Sequence, residues 1–297
     1  MTCQNMNSPF NTANLPHSVT GGFPGQCYCS PSLSPLSCSV THRNGHHSRW
    51  RCLALRVLAC LGLGLTTLLG ALPAVMGVAV TSRGVAGMLG FAGGAMLATV
   101  ALTLLPAGLR QAGAVAAAVA FAGGGAVTHL LDLLIPHTHH GGNGQTNDDP
   151  LRSSILLATA TVMHNLPEGL SVGASLAGGR IRTGLTVAAA IGAHNIPEGL
   201  AIVMPLCHQP SSRKIALSLA AGSGLLEAVA ALGGLLAARL PPPATGWLLA
   251  AAGGAMVYAV FHEILPQSLR RGHLALSGVG LVAGVLVTWL LTLILAG

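Results

Sequence analysis

A chain of 297 residues that is 52% apolar and only 7% charged cannot clothe a water-soluble surface, since an average soluble domain carries roughly 25% charged residues. The formal net charge of +7 comes from bases scattered between apolar runs, and without a clustered basic stripe it excludes nucleic acid as a partner. Abundant Gly and Ala with only 3% aromatic residues suit helices packed closely in lipid, whereas a membrane β-barrel would read as short alternating segments.

Residues 1–50 are rich in Ser, Pro, Asn and Thr and lack Asp and Glu, with Arg43 and Arg49 near the end and Arg51 just beyond it. Such a stretch is expected to be a disordered tail. An acid-free leader is also the composition of an organelle transit peptide, although here the bases come late and no amphipathic period is visible. Cys3, Cys27, Cys29 and Cys38 lie in this tail, and none has the paired spacing of a zinc finger, so they read as unpaired thiols, with metal binding by Cys27-Tyr28-Cys29 the weaker alternative.

From residue 51 to 297 the chain breaks into apolar runs long enough to cross a hydrocarbon core of about 30 Å as helices of roughly 20 residues. Eight spans are expected, at 53–79, 86–107, 112–136, 153–177, 183–207, 215–238, 245–265 and 274–296. Short connections bearing Arg or Lys separate most of them. The exception is the polar, Gly-rich segment from His137 to Arg152, which carries His139 and His140. Basic residues in the connections do not decide orientation, because those in the tail reverse the balance set by the loops.

All four glutamates, Glu168, Glu198, Glu227 and Glu263, fall inside predicted spans. A charge at mid-bilayer costs at least about 2.5–3.5 kcal/mol even on the lenient insertion scale, so these acids need partners or a hydrated path. Two of them belong to a duplicated motif. His164-Asn165-Leu166-Pro167-Glu168-Gly169-Leu170 in the fourth span matches His194-Asn195-Ile196-Pro197-Glu198-Gly199-Leu200 in the fifth at all but one position. Histidine and glutamate at i and i+4 share a helix face, and asparagine lies on the neighbouring strip. Pro167 and Pro197 release helical carbonyls beside the cluster. Both motifs sit near the middle of their spans and Glu227 lies at a similar depth in the sixth, so imidazoles, amides and carboxylates can converge. That donor set suits zinc, iron, manganese, cobalt or cadmium better than calcium or magnesium. A proton relay uses similar residues but does not require repeated i, i+4 chelation.

The paired motif resembles the ZIP (Zrt-, Irt-like protein) family of metal transporters, particularly its GufA-like and ZupT-like branches. Weaker agreement comes from LGALP at Leu69–Pro73, GFAGGAMLA at Gly90–Ala98, LLDLLIPH at Leu130–His137 and FHEILPQS at Phe261–Ser268. The resemblance implies an all-α bundle of eight transmembrane helices, spans one to three repeated in inverted sense as six to eight around central spans four and five. It also implies extracytoplasmic termini and metal moved toward the cytoplasm. Carried over by motif, His164, Asn165, Glu168, His194, Asn195, Glu198 and Glu227 would form a one- or two-metal site, with Met96 as a further soft ligand or a core residue. His129, Asp132, His137, His139 and His140 resemble an exit route, while His262 with Glu263 reads equally as a loading point or a structural pair. Ala228 stands where the family commonly has proline after the glutamate, and the second span ends without an acid or histidine.

The implied substrate is Zn2+ or another divalent transition metal, carried as cargo with no cofactor. The lipid bilayer is the surrounding partner and a homodimer the candidate assembly. The plasma membrane is the expected location, or an organelle membrane if the tail is a targeting segment. A metal-gated channel or metal-sensing receptor would need the same ligands. An intramembrane metalloprotease would need HExxH, and His262-Glu263-Ile264-Leu265 is followed by Pro266 instead.

Overall fold

The computed structural model describes residues 45–78, 80–134, 150–177, 181–207 and 213–296. Among these residues there is no strand, as expected where a lipid-facing backbone must close its own hydrogen bonds. Eight long helices follow one another: α1 (Gly45–Val75), α2 (Ser82–Ala112), α3 (Ala114–Leu134), α4 (Pro150–Ala177), α5 (Ile181–Cys207), α6 (Arg213–Leu235), α7 (Pro242–Arg270) and α8 (Leu274–Ala296). Seven are long and apolar enough to cross a membrane. The eighth, α4, carries the first motif and at 28 residues spans about 42 Å at 1.5 Å per residue. The chain is a multi-pass membrane protein. Its tail (1–44), the loop histidines His137, His139 and His140, and Cys3, Cys27, Cys29 and Cys38 lie outside the described residues.

Three of the helix boundaries differ from expectation in an instructive way. The first helix begins at Gly45, ahead of residue 53, while α2 and α7 run past Pro106 and Pro266 to Ala112 and Arg270. In each of the latter two a π turn, Val100–Leu104 and Val260–Ile264, widens the helix just before the proline. Leu105 N–H reaches back to Val100 O, and Leu265 N–H to Val260 O. The helix thereby accommodates a residue without an N–H and continues.

These matched π turns mark an internal repeat at the constant spacing that separates Met96 from Met256. Ala92-Gly93-Gly94-Ala95-Met96 recurs as Ala252-Gly253-Gly254-Ala255-Met256, and Leu105-Pro106 as Leu265-Pro266. The same spacing pairs α1 with α6 and α3 with α8. Packing obeys it: α2 lies against α8 as α7 lies against α3, and α1 against α5 as α6 lies against α4. Because each helix and its counterpart are offset by five spans, an odd number, they traverse the membrane in opposite senses, which makes the repeat inverted.

At the centre, Gly64 of α1 and Gly224 of α6 are repeat equivalents that touch each other. A Cβ on either would be driven into the other's backbone carbonyl. Such close approach is how helices gain dispersion contact in lipid. Two clefts, of about 630 and 540 Å³, separate the inner helices from the outer pairs, one between α4 and α3/α7 at Pro167, the other between α5 and α2/α8 at Pro197.

The Gly64–Gly224 contact leads to a direct stability test. Gly224→Ala should lower the thermal midpoint of the detergent-solubilised protein, overpacking of this kind costing typically about 1–3 kcal/mol. Gly222→Ala on the same helix meets open space and should be neutral or stabilising. Equal midpoints for the two variants would show that the helices do not meet at Gly224.

Candidate metal centre

The two motifs occupy the middle of α4 and α5, where helical spacing turns each histidine and glutamate toward the same side. Gly199 lets α5 approach the carbonyl of Thr67 on α1, and Gly169 lets α4 approach that of Glu227 on α6, the equivalent contact in the other half. This close packing brings Glu168, His194 and Glu198 together, with one ligand atom from each lying within 4.8 Å of the others. His194 Nε2 stands 3.4 Å from Glu168 Oε2. All three side chains are buried, and neither oxygen of Glu168 or Glu198 makes a hydrogen bond to the protein.

The remaining motif residues are divided among different tasks. Asn195 Nδ2 donates to Glu227 Oε1 at 2.6 Å and Thr67 Oγ1 to Glu227 Oε2 at 3.0 Å, so this third carboxylate is held beside the cluster by hydrogen bonds. Asn165 Nδ2 donates to Ser223 Oγ at 2.8 Å. Both asparagine Oδ1 atoms are buried without a hydrogen bond. His164 turns toward α7, its Nδ1 lying 2.9 Å from Glu263 Oε2, and Gln267 Nε2 donates to Glu263 Oε1 at 3.1 Å. The two halves of the motif are therefore alike in sequence and unlike in contacts.

Met96 is fully buried within the apolar core of α2. His129, Asp132 and His262 assemble near the end of α3 and the π turn of α7. Asp132 Oδ2 is 3.2 Å from His262 Nδ1 and accepts from the Tyr258 hydroxyl at 3.1 Å, and that hydroxyl lies 3.0 Å from His129 Nδ1. Tyr258, Thr67 and Ser223 escaped the sequence reading. Tyr258 lies one helical turn before His262, a spacing that could have flagged it; Thr67 and Ser223 carry no such signal.

Among the described residues no lysine or arginine pairs with Glu168, Glu198 or Glu227. An ionised carboxylate moved into a low-dielectric interior without a partner is costly, and a dication is the most effective partner available to several at once. An imidazole nitrogen beside carboxylate oxygens selects a transition metal within that class.

Fold and site together define a polytopic membrane protein organised around a buried cluster of metal-ligand side chains. Comparison with known proteins agrees with that class. The family model described as "ZIP Zinc transporter" matches residues 150–292. Zinc transporter ZupT of Chlorobium phaeovibrioides is 38% identical over 262 residues, covering 81% of this chain and 97% of that one. Zinc transporter ZIPB of Bordetella bronchiseptica is 36% identical over 234 residues, 73% and 74% of the two chains. Zinc transporter GufA of Myxococcus xanthus is 37% identical over 172 residues, 57% of this chain and 66% of its own length. The chain belongs to the ZIP family. Family membership makes it a transporter and not an enzyme, which removes the metalloprotease alternative.

The different anchoring of the carboxylates has a measurable consequence. Glu227→Gln can keep both hydrogen bonds, since its amide oxygen still accepts from Asn195 and the Thr67 hydroxyl can turn to accept from its NH₂. Metal counted per purified chain after dialysis should therefore fall little in Glu227→Gln and strongly in Glu168→Gln. Equal losses would place Glu227 among the primary ligands.

Proposed function

We propose that this protein carries divalent transition-metal ions, zinc foremost, across its membrane toward the cytoplasm, and that Glu168, His194 and Glu198 form the anionic core of its transport site. The observation that carries this reading is the convergence of three buried ligands, with carboxylate oxygens free of protein hydrogen bonds, at the middle of two matched helices. The zinc transporters named among its relatives favour zinc within the class.

A metal arriving as a hydrated ion would exchange water for carboxylate and imidazole ligands, with Glu227 and the asparagine oxygens at hand for a second ion or a bridging water. From the cluster, His164 with Glu263 and then Asp132 with His262 offer successive oxygen and nitrogen ligands toward the end of α3. His129 and the loop residues His137, His139 and His140 would receive the ion beyond. Met96, a further soft ligand by its place in the second span, would reach the ion only by leaving the apolar core in which it is buried. Movement of the inner helices against the outer pairs, along the two clefts, would open the site to one side at a time. Residues 51–297 form the transporting unit in this reading, residues 1–50 a separate tail, the plasma membrane the location and a homodimer the assembly in the bilayer.

Uptake into sealed vesicles containing the purified protein is the central test. Glu168→Gln and Glu198→Gln keep side-chain volume but remove the charge that offsets a dication, so each should depress uptake by more than the roughly 10–100-fold typical of groups that only orient ligands. Near-normal uptake by both, at matched membrane abundance, would make the glutamates structural contacts between helices.

Acidity supplies a second check. Metal must compete with protons for imidazole and carboxylate, so uptake should fall as the external medium is brought toward pH 5. Uptake that rises steadily with acidity would indicate import driven by protons instead.

A further inference from the structure

The polar group between α3 and α7 contains one residue that the functional reading leaves without a task. Tyr258 touches every other member: its ring stacks on that of His262 with centroids 4.9 Å apart and planes 14° from parallel, and its hydroxyl lies between Asp132 and His129. A phenol has one proton to give, whereas an ionised carboxylate can only accept. The Tyr258 proton therefore goes to Asp132, and the phenolic oxygen must accept from His129. His129 then carries its proton on Nδ1, which leaves the lone pair of Nε2 open. The same logic applied to the 3.2 Å approach of His262 Nδ1 to Asp132 puts a proton on that nitrogen as well and leaves its Nε2 open.

We infer that Tyr258 is a positioning residue for metal movement, one that fixes the Nδ1–H tautomer of His129 and the orientation of Asp132 so that the open imidazole nitrogens are presented to the passing ion. The proposal rests on the reading of Asp132 and His262 as a station on the path. It adds that the station is preset by a phenol that never touches the metal. Histidine ligands are commonly oriented in this way by a hydrogen bond at the other ring nitrogen, and disrupting such support typically costs about 10–100-fold in affinity or activity. Inverted repetition isolates the feature: the residue equivalent to Tyr258 is Ala98 in α2, and the equivalents of His262 and Asp132 are Leu102 and Thr292. The device belongs to one end of the molecule only.

Tyr258→Phe keeps the ring and its stacking but removes the hydroxyl, so the variant separates positioning from packing. Zinc uptake in vesicles should lose about tenfold in maximal rate with the half-saturating concentration unchanged, because the central cluster is untouched. In full-length, metal-free protein carrying ¹⁵N-labelled histidine, the His129 resonances, assigned by their loss in His129→Gln, should show the Nδ1–H form and revert to a mixture in Tyr258→Phe. A Tyr258→Phe protein with wild-type maximal uptake, or with the His129 tautomer unchanged, overturns the proposal. Wild-type uptake by Asp132→Ala would remove the station itself and the proposal with it. The transport site would then still be judged separately by Glu168→Gln and Glu198→Gln.

Discussion

Buried carboxylate is the constraint around which the rest of this molecule is arranged. Glu168 and Glu198 sit at the middle of an apolar bundle, in contact with an imidazole and out of reach of any described lysine or arginine. A medium that cannot solvate them penalises every unpaired charge, so each must meet a partner, a cation or a proton. Among the described residues the fold gives hydrogen-bond or ion-pair partners to Glu227, through Asn195 and Thr67, and to Glu263, through His164 and Gln267, while Glu168 has the 3.4 Å approach of His194. The two carboxylates left without hydrogen bonds are those that belong to the duplicated motif. A site that satisfied all of its own acids would have little reason to bind a dication.

Holding like charges together requires a rigid frame, and small residues provide it. Gly64 against Gly224, Gly199 against Thr67 and Gly169 against Glu227 let backbones approach to a distance that any side chain would prevent. These contacts come in repeat-related pairs, so one packing solution is used twice. The frame is nearly symmetric, while the chemistry attached to it is not. Thr67 stands where the other half has Glu227, Thr103 where it has Glu263, and Leu102 where it has His262. Imidazole and carboxylate side chains therefore run from the central cluster toward the α3/α7 end, whereas the equivalent positions at the α2/α8 end bear hydroxyls and hydrocarbon. An inverted repeat with unequal halves has a built-in direction, which a symmetric one would lack.

The π turns serve both the frame and the chemistry. In α2 the wide turn lets the helix pass Pro106 and does nothing else visible. In α7 the equivalent turn contains His262 and Glu263 and shifts their register, so that Glu263 meets His164 on α4 while His262 meets Asp132 on α3. An uninterrupted α-helix would place neighbouring residues about 100° apart with no such adjustment.

Composition and the length of the apolar runs determined the number of helices, the all-α class and the place of the motifs along their spans, because a lipid environment forces each apolar run into a self-bonded helix. The i, i+4 spacing likewise made the His/Glu faces legible, since it depends only on helical geometry. Tertiary structure decided which helices meet, and hence which ligands do. Motifs that differ only at Leu166 and Ile196 gave no reason to expect that His194 would join Glu168 and Glu198 while His164 turned to Glu263. Nor did a lone tyrosine in an apolar run announce the hydrogen bonds it makes across to α3. Those choices arise from contacts between residues far apart in the chain, and no local pattern encodes them. Helix ends beyond Pro106 and Pro266 were missed for a related reason: proline usually stops a helix, and only the π turn before it removes the conflict.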